Sequence, residues 1–415
     1  MENINLVKVI LWDKTVGYIY WDEKLRNSIF EYDDKFLDSN LEISPLEMPL
    51  KYGTVPMLGI KDKLFQNLPS MIADSLPDKW GTSILNAWLS KNKIKKSHLN
   101  PVHRLSYIAS TGMGALEYEP ANKLVSENTF EVNTEDLYDF SKAVLNKHND
   151  IILSSKDSLL WKDLVRIGGS PGGKRPKVII SMNNETGEIR SGQSETLKGF
   201  KQYILKFDDE SIFPFTKIEY IYYLMATNAG IDMMPSSIKR YGKTINFLTE
   251  RFDRINNEKI HTQTLTAIYP YSKSYEDIFK VLKKMNLNYN SYEQMFLRIV
   301  FNILGRNIDD HNKKFSFCMN QNGKWTLSPA YDITFSVDES LFDFMNRQSL
   351  TVNRKDHDIN QDDLLNIAKL YDIRNQKSLI EKVKDSLSNF SRLAKELDID
   401  SSTIQFISKE LKKSF

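Results

Sequence analysis

The sequence predicts an α+β protein with a β-containing N-terminal part and a mostly helical C-terminal part. Closely spaced apolar and β-branched segments within residues 1–55 predict short strands. Apolar residues at three- and four-residue steps within residues 364–397 predict helices. A chain of 415 residues is too long for one hydrophobic core, because cores stop growing at about 250 to 300 residues. We therefore expect two or three domains.

The composition is that of a globular protein without an extreme charge. Hydrophobic residues make up 41% of the chain and charged residues 27%. The net charge of +2 gives no broad field toward nucleic acid or anionic lipid. The single cysteine, Cys318, lies in an apolar segment and cannot form an intramolecular disulfide, which is typical of a reducing compartment. The N-terminus lacks signal-peptide features and no apolar run approaches about 18 residues, so we expect a cytoplasmic protein without a membrane segment.

The N-terminal quarter changes from strand patterns to helix patterns. Apolar segments at 6–12, 16–21 and 29–32 predict a small meander or barrel. Helical spacing follows over residues 64–89, interrupted by the turn and capping residues of segment 74–81. A second helix is therefore expected after Pro77.

The middle of the chain alternates between both types of element. Residues 131–146 predict a helix, and residues 177–187 predict a hairpin followed by a strand at 203–207. A helix over 217–229 and a strand over 244–249 come next.

A glycine-rich and basic stretch at 168–177 runs into the first strand of that hairpin. Glycines let backbone amides approach a phosphate, and lysine and arginine complement its charge. The stretch fits neither a P-loop nor a dinucleotide-binding fingerprint. Taken alone, it is compatible with a phosphate-binding loop or with a plain turn.

Lys206 lies inside an apolar strand, and Glu219 follows on the next predicted helix. A buried ammonium needs a counter-charge, which Glu219 would supply. A lysine at a strand end that reaches water is the simpler alternative. The order of parts, however, is that of a protein-kinase N-lobe: glycine-rich loop, hairpin, strand lysine, helix glutamate.

A dense polar loop at 306–314 follows an apolar helix at 292–304, and a hairpin then leads to Asp332. A carboxylate in a loop, here Asp309, followed by a second one after a hairpin is the kinase plan. In that plan one carboxylate orients the hydroxyl nucleophile and the other holds metal. Two alternatives remain, an exposed acidic turn and a hydrolytic metal site. The latter would use Asp309, Asp310, His311 and Asp332.

The sequence resembles the HipA-like kinases, which are the toxin components of bacterial toxin–antitoxin pairs. The resemblance rests on seven segments in the order of the family: 73–81 (ADSLPDKWG), 112–118 (GMGALEY), 168–177 (GGSPGGKRPK), 204–207 (ILKF), 250–254 (ERFDR), 307–311 (NIDDH) and 328–332 (SPAYD). It implies a protein-kinase-like, two-lobed fold with an extra N-terminal subdomain at 1–120, an N-lobe-like region at 121–250 and a helical C-lobe at 251–415.

The resemblance also implies ATP and Mg²⁺ as cofactors and assigns roles to residues. Asp309 would be the catalytic base, Lys206 with Glu219 would fix the ATP phosphates, and Asp332 with Asn312 would bind magnesium. The implied ATP-binding residues are Gly169, Ser170, Gly172, Gly173, Lys174, Lys177, Lys206, Glu250, Arg251, Phe252 and His311. Residues 250–252 would lie near adenine. Ser170 would be autophosphorylated, which adds nearly two negative charges and silences the enzyme.

The implied partners are a HipB-like helix-turn-helix antitoxin and a protein substrate such as an aminoacyl-tRNA synthetase. DNA would be contacted only through the antitoxin. One position departs from the family, because Lys314 stands where a metal-binding asparagine is usual. Asn312 would substitute, or one ion would be replaced by the lysine ammonium, or the enzyme would be slow. The departure also leaves open a pseudokinase that only binds the antitoxin and co-represses its operon.

Overall fold

The computed structural model describes residues 4–91, 93–94, 99–121, 175–191, 198–208, 211–241, 244–256, 258–341 and 345–413. The strands within them are β1 (Leu6–Leu11), β2 (Lys14–Asp22), β3 (Asn27–Tyr32), β4 (Met57–Leu58), β5 (Leu116–Glu119), β6 (Lys177–Asn183), β7 (Ile189–Ser191), β8 (Phe200–Lys206), β9 (Ser236–Tyr241), β10 (Thr244–Glu250), β11 (Arg254–Ile255), β12 (Glu258–Lys259), β13 (His261–Thr264), β14 (Ser316–Met319) and β15 (Trp325–Leu327). The helices are α1 (Asp34–Leu37), α2 (Ser70–Ala73), α3 (Lys79–Lys91), α4 (Pro101–Ile108), α5 (Phe215–Asn228), α6 (Leu265–Ile268), α7 (Tyr275–Lys284), α8 (Tyr289–Leu304), α9 (Gln361–Leu370), α10 (Gln376–Leu387), α11 (Phe390–Glu396) and α12 (Ser401–Lys412).

The chain forms two compact units. The first unit comprises Met1–Asp209, Glu250–Pro270 and Cys318–Lys324, and the second comprises Glu210–Thr249, Tyr271–Phe317 and Trp325–Phe415. The division into domains at 1–120, 121–250 and 251–415 stays a prediction. The helix predicted at 131–146 lies outside the described residues.

The first unit opens with a five-stranded antiparallel sheet in the order β4-β3-β2-β1-β5. Strands β1, β2 and β3 confirm the strands predicted within residues 6–32. Alternate residues of β1, Val7, Val9 and Leu11, are fully buried, which is the period of a strand with one face on a core. The edge strand β5 pairs with β1 in the register Lys8↔Glu119. Such a distant pairing leaves no local signal in the sequence.

The turn before α3 connects parts of the first unit. The carboxylate of Asp74 accepts hydrogen bonds from the amide (2.8 Å) and the hydroxyl (2.7 Å) of Thr264. Ser70 Oγ donates to the carbonyl of Ala267 at 2.7 Å. Asp78 caps the next helix by accepting from the amide of Gly81 at 2.8 Å. Ser70, Asp74 and Asp78 therefore hold neighbouring parts of the first unit in place.

A second β structure of the first unit has β6 between β7 and β8, all antiparallel. The predicted hairpin and following strand are confirmed. The turn closes when the amide of Gly187 donates to the carbonyl of Asn183 at 2.8 Å, with Gly187 at φ +75°. Glycine adopts this left-handed conformation without a steric penalty.

The second unit is mainly helical, with the β9–β10 hairpin after α5. The helices predicted at 217–229, 292–304 and 364–397 are confirmed as α5, α8 and the series α9 to α11. Helix α8 is buried over most of its length, including residues Phe296 to Phe301. The hydroxyl of Tyr222 on α5 donates to the carbonyl of Gly305 at 2.7 Å. The end of α8, where the polar loop begins, is thereby fixed.

Candidate functional site in the second unit

The polar loop begins where α8 ends at its C-cap Gly305, and Arg306 turns the chain with φ +55°. The side chain of Asp309 is 57% exposed. Its backbone is nevertheless held, because the amides of Ile308 and Asp309 donate to Ser336 Oγ at 2.8 and 3.1 Å. Ser336 Oγ itself donates to Asn307 Oδ1 at 3.2 Å. An accessible carboxylate is thus presented from a fixed loop.

The β14–β15 hairpin returns the chain to this loop. The amide of Ser328 donates to the carbonyl of Ser316 at 2.9 Å. The hydroxyl of Tyr331 donates to the carbonyl of Lys313 at 2.9 Å and lies 2.6 Å from Ser316 Oγ. The next residue, Asp332, has φ +56°, a conformation that aspartate tolerates better than most residues. These contacts place Asp332 beside the polar loop.

Lys314 joins the two carboxylates. Its Nζ lies 3.2 Å from Asp309 Oδ2 and donates a hydrogen bond to Asp332 Oδ2. The side chain of Lys314 is only 6% exposed. A buried ammonium is stable only with opposite charges beside it, and these are the two aspartates. We call Asp309, Lys314 and Asp332 the carboxylate–lysine cluster.

His311 lies against the same cluster. Its Nε2 is 3.7 Å from Asp309 Oδ1, and its Nδ1 accepts from the amide of Lys313 at 3.2 Å. Burial lowers the pKa of His311, and the positive charge of Lys314 lowers it further. The ring is therefore neutral near pH 7, so that Nδ1 can accept and Nε2 can donate.

Asp310 faces the opposite way from Asp309. It is 0% exposed and accepts from the Tyr275 hydroxyl at 2.5 Å and from the Ser349 amide at 2.6 Å. Burial raises the pKa of Asp310 to about 7, although these hydrogen bonds oppose the shift. The hydrolytic metal site proposed from Asp309, Asp310, His311 and Asp332 is not formed, because Asp310 is turned into the core. Within the described part of the chain, no three or more acidic, histidine or cysteine side chains are placed to hold a metal.

The donors present suit one magnesium ion. Mg²⁺ prefers carboxylate oxygens and is usually held by one or two of them together with substrate phosphates and water. Asp332 provides such a group. The Nδ2 of Asn312 donates to the carbonyl and the hydroxyl of Ser272, each at 3.2 Å, so that Oδ1 is the atom of this side chain that would ligate a metal. Its assignment as a metal ligand stays a prediction.

Two predicted phosphate-binding lysines lie opposite each other in the first unit. Lys177 of β6 is paired in register with Lys206 of β8. The ammonium of Lys177 is buried and lies 2.7 Å from Asp78 Oδ2, and its carbonyl accepts from Trp80 Nε1 at 2.9 Å. Lys177 therefore already has a carboxylate partner, and its contact with ATP stays a prediction.

The predicted adenine segment is anchored within the first unit. The carboxylate of Glu250 lies 3.0 Å from the ammonium of Lys201, and Phe252 is buried. The guanidinium of Arg251 is 1% exposed and donates to Asp253 at 2.8 and 2.9 Å. The backbone amide of Arg251 donates to the carbonyl of Gln202 at 2.9 Å. The side chain of Arg251 thus has a structural role, and a contact of this segment with adenine stays a prediction.

The remaining predicted site residues are those of the glycine-rich loop, Lys206 and Glu219. Gly169, Ser170, Gly172, Gly173 and Lys174 lie outside the described residues. Glu219 is buried on α5 in the second unit, whereas Lys206 ends β8 in the first unit, and their pairing stays a prediction.

Sequence reasoning missed two groups that hold the polar loop. Ser336 supports the backbone of Asp309, and Tyr275 binds Asp310. Tyr275 starts α7, whose capping box at Ser274 and Asp277 is a signal that the sequence does contain. Nothing near Ser336 in the sequence distinguishes it from an ordinary exposed serine.

The fold and the site define an α+β protein with one carboxylate in a polar loop and a second carboxylate beside that loop. A model of the HipA-like C-terminal domain matches residues 169–407, more than half of the chain, and a model of the HipA N-terminal domain matches residues 7–119. The chain belongs to the HipA-like family. Among curated proteins, no match to the sequence was found.

Solved structures are also similar to this chain. One belongs to the toxin–antitoxin complex of HipA, HipB and its operator DNA from Shewanella oneidensis MR-1. It has a TM-score of 0.69 and 18% sequence identity, and the match covers 98% of this chain and 95% of that chain. The proinflammatory kinase CtkA of Helicobacter pylori matches over 52% of this chain and 87% of its own, with 14% identity. Its TM-score of 0.35 supports no argument about the fold.

These findings confirm the predicted family resemblance, and the described helices and strands confirm the α+β fold class. Among the helices that the structure describes, none combines the length and the apolarity that crossing a membrane requires.

Proposed function

We propose that this HipA-like protein is an ATP-dependent serine/threonine protein kinase and the toxin of a toxin–antitoxin pair. The observation that carries the proposal is the carboxylate–lysine cluster. Asp309 on a fixed loop and Asp332 after a hairpin come within reach of one ammonium. In kinases, two carboxylates with these positions in the chain orient the hydroxyl and hold metal.

The role of Asp309 follows from its exposure and its fixed backbone. The oxygen of a serine or threonine hydroxyl forms a bond to the γ-phosphorus of ATP, and the bond from that phosphorus to the β,γ-bridging oxygen breaks. ADP leaves, and the hydroxyl proton passes to the carboxylate of Asp309. A carboxylate that is 57% exposed can be reached by a hydroxyl of another protein.

Under this proposal Asp332 holds magnesium, with Asn312 as the further predicted ligand. When bound, the ion neutralises charge on the phosphates of ATP. The residues of the chain contribute position and charge, which account for most of the catalysis in phosphoryl transfer.

Nucleotide binding is assigned to the remaining predicted residues. Lys206, held by Glu219, would bind phosphates, while residues 250–252 would lie beside adenine. The glycine-rich loop would cover the phosphates, and Ser170 in that loop would be the autophosphorylation site. A phosphate on Ser170 would exclude those of ATP by charge repulsion.

The proposed partner is a HipB-like antitoxin. It is supported by the family and by the solved structure in which HipA occurs with HipB and operator DNA. The net charge of +2 is consistent with DNA contact only through the antitoxin. The proposed substrate is a component of translation, such as an aminoacyl-tRNA synthetase.

The test is incubation of the purified chain with ATP and Mg²⁺, followed by intact mass and peptide mapping. One added phosphate at Ser170 is expected, and Asp309→Asn should abolish it. Asp358→Asn is the matched control, because this side chain is 94% exposed and lies outside the cluster. Antitoxin binding without any phosphorylated residue or target would favour the pseudokinase. Release of phosphate from ATP without a phosphoprotein would favour a phosphohydrolase.

A further inference from the structure

Lys314 stands at a position where a kinase needs positive charge. Protein kinases use two magnesium ions, one held by the aspartate after the hairpin and one by an asparagine of the catalytic loop. Here the Nζ of Lys314 lies 3.2 Å from Asp309 and is hydrogen-bonded to Asp332. One ammonium therefore already bridges the two carboxylates at which the chemistry is proposed to occur.

The backbone around Lys314 is fixed from both sides. The amide of Lys314 donates to the carbonyl of His311 at 2.8 Å, within the short 3₁₀ turn Asn312–Lys314. On one side of Lys314, the carbonyl of Lys313 accepts a hydrogen bond from the hydroxyl of Tyr331. On the other side, Phe315 is buried. The side chain of Lys314 is 6% exposed. The ammonium is a buried part of the site, in contrast to a solvated surface lysine.

The neighbouring Asn312 donates to Ser272 through its Nδ2. Its Oδ1 is predicted to serve the same ion as Asp332, so that it supplies no second metal site. The cluster carries two negative charges and one positive charge, so that one divalent ion reverses its net charge from −1 to +1. A second divalent ion would add two more positive charges next to a fixed ammonium. A protonated lysine also cannot ligate that ion.

We infer that the Lys314 ammonium replaces one of the two metal ions, so that the protein with bound nucleotide takes up a single divalent ion. This inference rests on the proposed kinase function. Lysine supplies a point charge that needs no ligand exchange, and it would neutralise part of the charge on the transferred phosphoryl group.

The test counts metal ions by electron paramagnetic resonance of Mn²⁺ in the presence of a non-hydrolysable ATP analogue. The unmodified chain should bind one Mn²⁺ per bound nucleotide. Lys314→Asn, which supplies an oxygen ligand in place of the charge, should bind two. Lys314→Met removes the charge without supplying a ligand and should still bind one. Lys313→Asn, a change at the neighbouring lysine, is the matched control and should also leave the count at one.

Two Mn²⁺ ions per nucleotide in the unmodified chain would overturn the inference while leaving the kinase proposal intact. The same count in Lys314→Asn as in Lys314→Met would also overturn it. Absence of nucleotide binding in the unmodified chain would overturn the kinase proposal and the inference with it. Thermal unfolding of each variant separates a changed count from a failure to fold.

Discussion

Two charged clusters in the described part of the chain have opposite composition. In the first unit, Asp253 accepts from the guanidiniums of Arg251 and Arg254, each at 2.8 Å, and from the amide of Gly114 at 2.7 Å. In the second unit, the single ammonium of Lys314 serves two carboxylates. One cluster has an excess of positive charge and the other an excess of negative charge.

The clusters also differ in how completely they are enclosed. Asp253 is 0% exposed, and burial alone would raise the pKa of its carboxyl group. Arg251 and Arg254 outweigh burial and hold that pKa well below its ordinary value. The same two guanidinium groups also donate to the carbonyls of Gly112 and Gly114. In the carboxylate–lysine cluster, Asp309 remains open to solvent. A closed cluster holds backbone together, whereas an open one with uncompensated charge can accept a substrate or an ion.

The largest effect is expected from Asp309→Asn. Loss of the general base should lower the rate of phosphoryl transfer on the order of 10³-fold. The free energy of unfolding should change little, because the side chain of Asp309 is mostly exposed and Lys314 keeps the carboxylate of Asp332 beside it. Phosphate incorporation and urea unfolding measure the two quantities. Equal rates in the variant and the unmodified chain would show that the open cluster is not catalytic.

Asp253→Asn should give the opposite pattern. Removing the carboxylate takes the hydrogen-bonded counter-charge away from two buried guanidiniums, which costs about 3 to 5 kcal/mol of stability. Urea unfolding measures the loss, with the exposed Asp358→Asn as a control that should change stability by less than about 0.5 kcal/mol. A loss of similar size in both variants would contradict the role of the closed cluster.

A third prediction concerns how the stability of the chain depends on pH. His261 of the first unit is buried and its Nε2 lies 2.9 Å from the carbonyl of Ile43, with Gln263 Nε2 at 3.1 Å. Burial lowers the pKa of His261 to about 4, so the unfolded chain, with a histidine pKa near 6.5, binds the proton more tightly. The contribution of His261 to stability should therefore fall by about 3 kcal/mol as the pH decreases from 6.5 to 4, whereas protonation of the buried Asp310, whose pKa is raised to about 7, acts in the opposite direction. The carboxylate of Asp253, whose pKa is lowered, should lose its contribution only below about pH 4.

Urea unfolding between pH 7 and 4 measures this dependence. The stability of the unmodified chain relative to His261→Gln should fall by about 3 kcal/mol between pH 6.5 and 4, since both chains share the contribution of Asp310. A difference between the two chains that does not change with pH would contradict the role of His261.

The sequence predicted the elements whose signal is local. The alternation in β1 and the apolar faces of α8 were enough, because burial of one face follows directly from the period. Strand β5 was missed, since its partner Lys8 lies more than 100 residues earlier and the pairing depends on the tertiary fold. Hairpin strand β9 was missed because it is short and rich in polar residues.

The candidate site likewise has features that the sequence predicted and features that depend on the tertiary fold. The positions of Asp309 and Asp332 in loop and post-hairpin segments could be read from spacing, and Lys314 was recognised as a departure. That Lys314 bridges both carboxylates could not be predicted, because it depends on how the hairpin returns. Arg251 was assigned to the nucleotide, but its guanidinium is bound to Asp253 and Gln202, and the second partner is almost 50 residues away.

The smallest effect concerns Ser336, which supports the open cluster without belonging to it. Its Oγ accepts from the amides of Ile308 and Asp309, and Ser336→Ala would leave both donors without this acceptor. The loop would then hold Asp309 less firmly, and we expect kcat to fall about 10-fold, equivalent to about 1.4 kcal/mol, with KM for ATP unchanged. Ser336→Thr, which keeps the hydroxyl, should restore kcat, and Ser340→Ala at an exposed serine should have no effect. A rise in KM without a change in kcat would mean that Ser336 affects substrate binding, so that Asp309 owes its position to the rest of the loop.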